Sequence, residues 1–349
     1  MSTRFDAVRE QLQGAPSRWL VTGVAGFIGS HLLETLLSLR QRVVGLDNFA
    51  TARRTNLEDV RRRVGEQAWQ RFLLVEGDIT VLQDCLRVCE NVDLVLHQAA
   101  LGSIPRSIEQ PLATHHANVT GFANVLEAAR RTGVRRLVYA SSSAVYGDHP
   151  GLPKVEGEIG QALSPYAVSK HTNETYANVF ARCYAMSVIG LRYFNVFGRR
   201  EHPDGPYAAV IPRWSCSLLQ GAPCTIFGDG ESTRDFTPVA NVVQANLLAA
   251  TVDEGVSGSV FNVACGVRTT LRELYDAIAA VLVRRGAIRV APAPSNQGFR
   301  PGDVRHSLAD ISAARQQLGY EPSGSLDEAL EEAAEWYANG WIAEPAEAA

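Results

Sequence analysis

The chain lacks the marks of several protein classes. No window reaches about 18 consecutive apolar residues, so nothing reads as a membrane-spanning helix. The first stretch, Met1 to Arg18, is polar and carries no apolar signal core. Neither sign of charge dominates: 33 Lys plus Arg against 37 Asp plus Glu leaves a net charge of −4. That balance gives no general pull toward nucleic acid or anionic membrane. The six cysteines, Cys85, Cys89, Cys183, Cys216, Cys224 and Cys265, form no CxxC pair and have no histidine cluster beside them. They read as scattered buried thiols in a reducing compartment. His115 and His116 are adjacent and His97 ends an apolar run, which suits core or surface roles and leaves no metal site. No internal repeat is visible. These absences point to a cytoplasmic protein without metal, membrane or nucleic-acid partners.

What is present is a chain of 349 residues, 46% of them hydrophobic, enough for a large α/β unit with a smaller companion. Short apolar runs at Arg18–Val21, Arg42–Leu46, Phe72–Val75, Leu94–His97, Arg136–Ala140 and Ser187–Tyr193 read as buried strands. Helical patterns lie between them, at Phe27–Arg40, Ala113–Thr132 and from Pro165 to about Tyr184. This alternation predicts a Rossmann-type, doubly wound parallel sheet with helices on both faces. After Asn195, Gly and Pro become frequent. A smaller α/β lobe built largely from loops and short elements is expected over 196–349, with 1–195 as the dinucleotide-binding unit. The boundary is not clean, because Gly258–Val263 reads as a strand returning to the first sheet from the 235–265 region. The tail from Glu344 to Ala349 is expected to fray.

Gly23-Val24-Ala25-Gly26-Phe27-Ile28-Gly29 follows the first strand and opens a helix. Glycines there let bare backbone N–H groups approach a pyrophosphate at a helix N-terminus. A glycine-rich turn without a ligand is the plain alternative. Asp47 ends the second strand, where a carboxylate meets adenosine ribose hydroxyls and repels a 2′-phosphate, so NAD is expected over NADP. Arg53 and Arg54 nearby read as a solvated loop. Asp78-Ile79 closes the third strand, where an adenine edge could be met. Further on, Tyr166 and Lys170 share one face of a helix behind Ser164-Pro165. A nearby ammonium favours the tyrosine phenolate, which otherwise titrates near ~10. The triplet Ser141-Ser142-Ser143 follows the fifth strand, at the sheet edge where such folds bind ligands. Each feature alone has a bland reading, as a turn or a surface pair. Their combination in this order does not.

That combination resembles the extended short-chain dehydrogenase/reductase family. Within it, the chain is most similar to UDP-hexose 4-epimerases, particularly the bacterial UDP-N-acetylglucosamine 4-epimerases of surface-polysaccharide synthesis. The stretches that carry the resemblance include Val21 to Ser30, His97-Gln98-Ala99-Ala100, Ser164 to Lys170, Leu191 to Gly198 and Gly302 to Ser307. The resemblance implies that Gly23, Gly26, Phe27, Ile28, Gly29, Asp47, Asn48, Asp78, Ile79, Gln98, Ala99, Ala100, Asn118 and Phe194 line an NAD site. It implies that Tyr166 is the base, that Lys170 holds the nicotinamide ribose, and that Ser142 is the active hydroxyl, four positions before the Tyr of Val145-Tyr146-Gly147. Ser141 and Ser143 flank it, and the sequence leaves open which serine relays the proton. For the UDP-sugar, the implied contacts are Asn195, Thr225, Phe227, Arg234, Arg300 and Asp303. Ser307, five after Gly302, implies a pocket roomy enough for an acetamido group. The implied activity is 4-epimerisation of UDP-GlcNAc and UDP-GalNAc through a 4-keto sugar, in a homodimer. Rival readings are a UDP-hexuronic acid 4-epimerase, a dehydratase or decarboxylase of the same family, and a non-catalytic NAD sensor. The dehydratases and decarboxylases need an acid just after the active serine, where this chain has Ser143 and Ala144.

Overall fold

The computed structural model describes residues 3–203, 208–299 and 304–340. At its centre is a sheet of seven strands: β1 (Arg18–Thr22), β2 (Arg42–Asp47), β3 (Phe72–Glu76), β4 (Leu94–His97), β5 (Arg136–Ser142), β6 (Val188–Tyr193) and β7 (Val260–Val263). They lie in the order β7-β6-β5-β4-β1-β2-β3, and every neighbouring pair is parallel. This is the doubly wound sheet expected from the alternation of runs and helices.

Both faces of the sheet are buried except at the edge strand β3, where Leu73 is exposed. Trp19 and Val21 of β1 enter one apolar cluster with Leu96, Val138 and Ile189. Leu20 enters the other with Val44, Val95 and Leu137. Successive side chains thus go to opposite covered faces, so the strands read as continuous apolar runs. Helices α1 (Phe27–Ser38) and α4 (Val239–Thr251) cover the first face through Leu32, Leu36, Val242 and Leu247. Helices α2 (Gly121–Thr132) and α3 (Pro165–Tyr184) cover the second through Phe122, Val125 and Ala177. The chain winds outward from β1 to β3 and then the other way from β4 to β7. That reversal opens a crevice at the carboxyl ends of β1 and β4.

Three local expectations change. The helix expected over Ala113–Thr132 is Pro111–His115, a π-helical turn His116–Thr120 and α2. Arg54 opens a helix, Arg54–Val64, rather than sitting in a solvated loop. Asp78 and Ile79 lie beyond the end of β3, which stops at Glu76.

The part of the chain expected to be mainly loops holds the helices Val210–Leu219, α4, Leu271–Arg284 and Leu326–Gly340. A third apolar cluster, with Phe197, Trp214, Ile226, Leu274 and Leu282, forms there. Around it the strands are two- and three-residue pairs: Thr225–Phe227 with Ser295–Gln297, and Thr233–Arg234 with Thr269–Thr270. The expected frayed tail, Glu344 to Ala349, lies outside the described residues.

Candidate active site

The glycine loop turns at the end of β1. Gly23 has φ +68°, and a Cβ on it would stand 2.8 Å from the Ala99 backbone. A Cβ on Gly29 would come within 2.0 Å of the Gly23 carbonyl oxygen. Only glycine fits at either point. Ala99 itself follows β4, so the loop packs directly against the Gln98-Ala99-Ala100 segment at the crevice. Helix α1 begins at Phe27 behind the extended Gly26, and no side chain caps it. Its first-turn amides, including those of Phe27 and Ile28, are therefore the open donors of a helix N-terminus.

Asp47 braces this loop. One carboxylate oxygen accepts from the Ala25 N–H at 2.8 Å and the other from Phe49 N–H at 2.9 Å. Burial pushes its pKa up, and the backbone donors oppose that push. Asn56 adds a bond to the Ala25 carbonyl at 2.9 Å, a support with no signal in the sequence. Asn48 is exposed and donates to Asp78 at 2.7 Å, so those two close one end of the crevice together. Asp78 also accepts from Thr80. Ile79 is buried. Arg54 is not loose: it lies 4.1 Å over the Phe49 ring and pairs with Glu76 at 2.6 Å. Gln98 is held by Asn246 and Tyr193, at 3.1 and 3.2 Å.

Tyr166, Lys170 and Ser142 meet where α3 crosses the end of β5. Ser164 caps the helix by accepting from Ala167 N–H at 3.1 Å, and Pro165 starts it. Lys170 is 2% exposed and donates to the Ala140 carbonyl at 2.9 Å. Its ammonium is 5.8 Å from the centre of the Tyr166 ring. Burial drives the Lys170 pKa down to about 8, and the Glu174 charge acts against that. Burial raises the Tyr166 pKa, and the Ser142 hydroxyl, a hydrogen-bonding neighbour, pulls it back. Ser142 also accepts from Ala144 N–H at 3.1 Å. Asn118, in the π-helical turn, is 1% exposed. Its amide oxygen accepts from Leu101 N–H at 2.8 Å, and its amide nitrogen donates to the Leu101 carbonyl and the Ser169 hydroxyl, both at 3.1 Å. It ties the β4 loop to the helix of Tyr166 and Lys170; π turns of this kind recur at functional sites.

Not every expected residue joins this group. Ser141 is buried and gives its hydroxyl to Glu174 at 2.5 Å. Phe194 is fully buried, with its ring 5.9 Å from that of Tyr146. Ser143 is half-buried in the short turn after β5. His97, expected in a core or surface role, is buried: Thr22 meets its Nδ1 at 2.8 Å and accepts from Ala99 N–H at 3.3 Å. Burial, with the nearby Lys170 charge, drives His97 down to about 3, so it is neutral.

Across the crevice, Asn195 has φ +36° and donates to the Asp235 carbonyl at 3.2 Å. Arg234 donates to the Thr233 and Arg305 carbonyls at 2.9 and 3.2 Å. Ser307 is half-buried and its N–H bonds the Thr233 carbonyl at 3.0 Å, so Ser307 is tied to the short strand that carries Arg234. Thr225 is 3.5 Å from the Ser295 hydroxyl, and Phe227 is half-buried at the end of that strand. Arg300 and Asp303 lie outside the described residues. No group of three or more His, Cys, Asp or Glu able to hold a metal occurs among the described residues. No described helix is long and apolar enough to cross a membrane.

Comparisons with known proteins bear on the family and the fold. The model of the NAD dependent epimerase/dehydratase family matches residues 19–264. A UDP-glucose 4-epimerase from Mycolicibacterium smegmatis is 37% identical over 92% of this chain and 99% of its own. The solved UDP-N-acetylglucosamine 4-epimerase of Methanobrevibacter ruminantium M1, in complex with UDP-N-acetylmuramic acid, superposes with a TM-score of 0.84 at 33% identity. That match covers 92% of this chain and 98% of that one. The UDP-glucuronic acid 4-epimerase of Bacillus cereus, solved with UDP-glucuronic acid and NAD, gives 0.78 at 29% identity, covering 91% and 98%.

Proposed function

The chain belongs to the NAD dependent epimerase/dehydratase family, and on that premise we propose that it is a UDP-sugar 4-epimerase preferring the N-acetylated substrates UDP-GlcNAc and UDP-GalNAc. The observation that carries the reading is the meeting of Tyr166, Lys170 and Ser142 at the carboxyl end of β5, in the same sheet whose β1–β4 crevice carries the bare glycine loop.

The crevice fits NAD on its own terms. The uncapped N-terminus of α1 and the missing Cβ atoms at Gly23 and Gly29 leave room and donors for a pyrophosphate. Asp47, at the end of β2, and Asn48 are assigned to the adenosine ribose, with Asp78 beside them. Gln98, Ala99 and Ala100 form the floor. Asn118, fully engaged by Leu101 and Ser169, acts by holding that floor to α3. Bound there, NAD supplies a two-way hydride carrier for the sugar C4.

The chain's own residues do the rest. Tyr166 takes the proton of the sugar 4-hydroxyl and later returns one, and Ser142 shares the hydrogen bond. Burial raises the Tyr166 pKa and the Ser142 hydrogen bond lowers it; the Lys170 ammonium, 5.8 Å from the ring centre, is assigned to favouring the phenolate. The lobe that supplies Thr225, Phe227, Arg234 and Asn195 is assigned to the UDP moiety. It keeps hold while the 4-keto sugar presents its other face. Ser307 beside Arg234 leaves space for an acetamido group, since a small side chain removes the clash that a larger one would impose.

The reading extends to a homodimer. Ile104, Ile108, Leu112, Val168, Tyr176 and Val179 are exposed apolar side chains on three neighbouring helices, Ile104–Glu109, Pro111–His115 and α3. Covering such a face is the usual reason for it. All six cysteines are unpaired, Cys183 exposed and the others buried or half-buried, which fits a reducing cytoplasm.

The test is separate incubation of the purified protein with UDP-GlcNAc, UDP-GalNAc, UDP-Glc, UDP-Gal and UDP-glucuronic acid, with product analysis by NMR. The reading expects C4 epimers, with the highest kcat/KM for the N-acetylated pair. Highest kcat/KM for UDP-glucuronic acid or plain hexoses would move the preference to that substrate.

A further inference from the structure

Resting on the epimerase reading, we propose that Glu174 is a positioning residue for the reaction, locking the Tyr166 helix in register against β5, with Arg192 as the counter-ion that lets a carboxylate sit there. Tyr166, Lys170 and Glu174 stand on successive turns of α3, four residues apart. Each turn is fastened to a different residue of one short stretch of β5. The first meets the Ser142 hydroxyl. The second donates to the Ala140 carbonyl at 2.9 Å. The third accepts from the Ser141 hydroxyl at 2.5 Å. Ser141 therefore serves the site from behind, through Glu174.

Arg192 completes the lock from β6. Its guanidinium grips Glu174 bidentately at 2.9 and 2.8 Å, a geometry that fixes both partners. It lies 4.8 Å over the Tyr146 ring and donates to the Glu156 carbonyl at 2.9 Å. Glu156 in turn accepts from Asn262 N–H of β7 at 2.9 Å. Helix α3, three strands and the loop after Ser142 are thus joined at one buried ion pair, with Arg192 4% and Glu174 9% exposed. Such a pair contributes little net stability compared with apolar residues of equal size, so its value is geometric and electrostatic.

The groups facing Lys170 are few. On its own helix are Tyr166 and Glu174. The end of β4 presents neutral His97, and β5 presents the Ala140 carbonyl and Ser142. Glu174 is the carboxylate whose charge supports the ammonium, and Arg192 stands behind it.

The sequence holds two lysines, Lys154 and Lys170, which makes a direct measurement possible. Protein carrying its NAD and labelled with ¹³Cε-lysine should show two side-chain signals, assigned by losing one in Lys154→Arg. In Glu174→Gln the Lys170 midpoint should fall by roughly one pH unit. Turnover should drop about 10- to 100-fold, while retained NAD and the KM for UDP-sugar stay within about threefold, because Glu174 reaches neither in this account. Glu174→Asp, which keeps the charge, should leave the midpoint in place. If Glu174→Gln does not fold with Arg192 left unpaired, the double variant Glu174→Gln/Arg192→Gln carries the same expectation with a smaller shift. An unmoved Lys170 midpoint, or loss of Tm and turnover without that shift, would overturn the proposal. A parent protein inactive on every UDP-sugar would overturn the epimerase reading instead, and the lysine titration does not depend on it.

Discussion

The two sides of the crevice are built by different means. The cofactor side is set by the sheet itself: the glycine loop, Asp47 and the β4 segment sit at the ends of strands whose both faces are buried, and backbone approaches leave no space for a side chain. The sugar side rests on strands two or three residues long, stitched by side chains reaching backbone groups. Asp235 is the chief stitch. Its carboxylate accepts from the N–H groups of Cys265, Gly266 and Ala309 at 3.0, 3.0 and 3.3 Å, which joins three loops. A rigid frame for a cofactor that stays bound, beside a loop-built wall for a sugar that must turn over, suits a site where the hydride carrier is fixed and the substrate moves. Loops on a firm scaffold are also where specificity changes most easily.

The largest effect is expected at the meeting point of the two sides. Tyr166→Phe should lower turnover by roughly 10²- to 10⁴-fold while NAD stays bound. Measuring kcat beside the cofactor content of purified protein checks both halves. The same group sets the pH profile. Lys170 has a folded-state pKa of about 8, below that of a free lysine. Its supporting charge is full below that value and lost as pH rises through it, so kcat should decline on the alkaline side near pH 8.

Next come two glycines, one from each side. Gly29→Ala would drive a Cβ to 2.0 Å from the Gly23 oxygen. Backbone cannot yield there cheaply, so a loss above roughly 3 kcal/mol is expected, with NAD retention gone. Gly230→Ala, in the sugar-side loops, has nothing nearer than 3.6 Å and only its φ of +87° to answer for. It should cost about 1–2 kcal/mol. Urea denaturation of both variants tests the contrast, and equal losses would erase it.

A smaller and selective effect is expected at Ser307. Ser307→Tyr should reduce kcat/KM for UDP-GlcNAc by about tenfold or more, with UDP-Glc little changed. Unchanged handling of UDP-GlcNAc would place size selection elsewhere in the lobe. Smallest of all is Arg54→Ala. Its guanidinium is held on Phe49 and by Glu76 in an exposed pair, so stability should shift by less than about 1 kcal/mol. The preference for NAD over NADP, which we assign to Asp47, should persist in cofactor-binding titrations.

The sheet was legible because strands buried on both faces leave unbroken apolar runs; the half-exposed edge strand β3 carries such a run too, and β7 was marked as a returning run. The glycine loop and the Tyr166-Lys170 spacing were legible for the same kind of reason, since each imposes a local residue choice. The sugar side was less so. Helix α4 is buried almost all round, from Val239 and Val242 through Ala250, so it has no polar stripe to betray a helical period. Leu271–Arg284 did carry a signal: Thr270 and Glu273 form a capping box, bonded at 2.8 and 3.0 Å. The Glu174–Arg192 pair and the Asp235 stitch join residues far apart in the chain, and nothing in local spacing announces such contacts.

The central claim is that one protein-held cofactor takes hydride from the sugar C4 and returns it to the same carbon. UDP-GlcNAc deuterated at C4, incubated with the purified protein, tests it most directly by NMR of the product. The account predicts UDP-GalNAc that keeps its deuterium at C4. Epimer formed with that deuterium exchanged for solvent hydrogen, or no epimer from this or any other UDP-sugar, would contradict it.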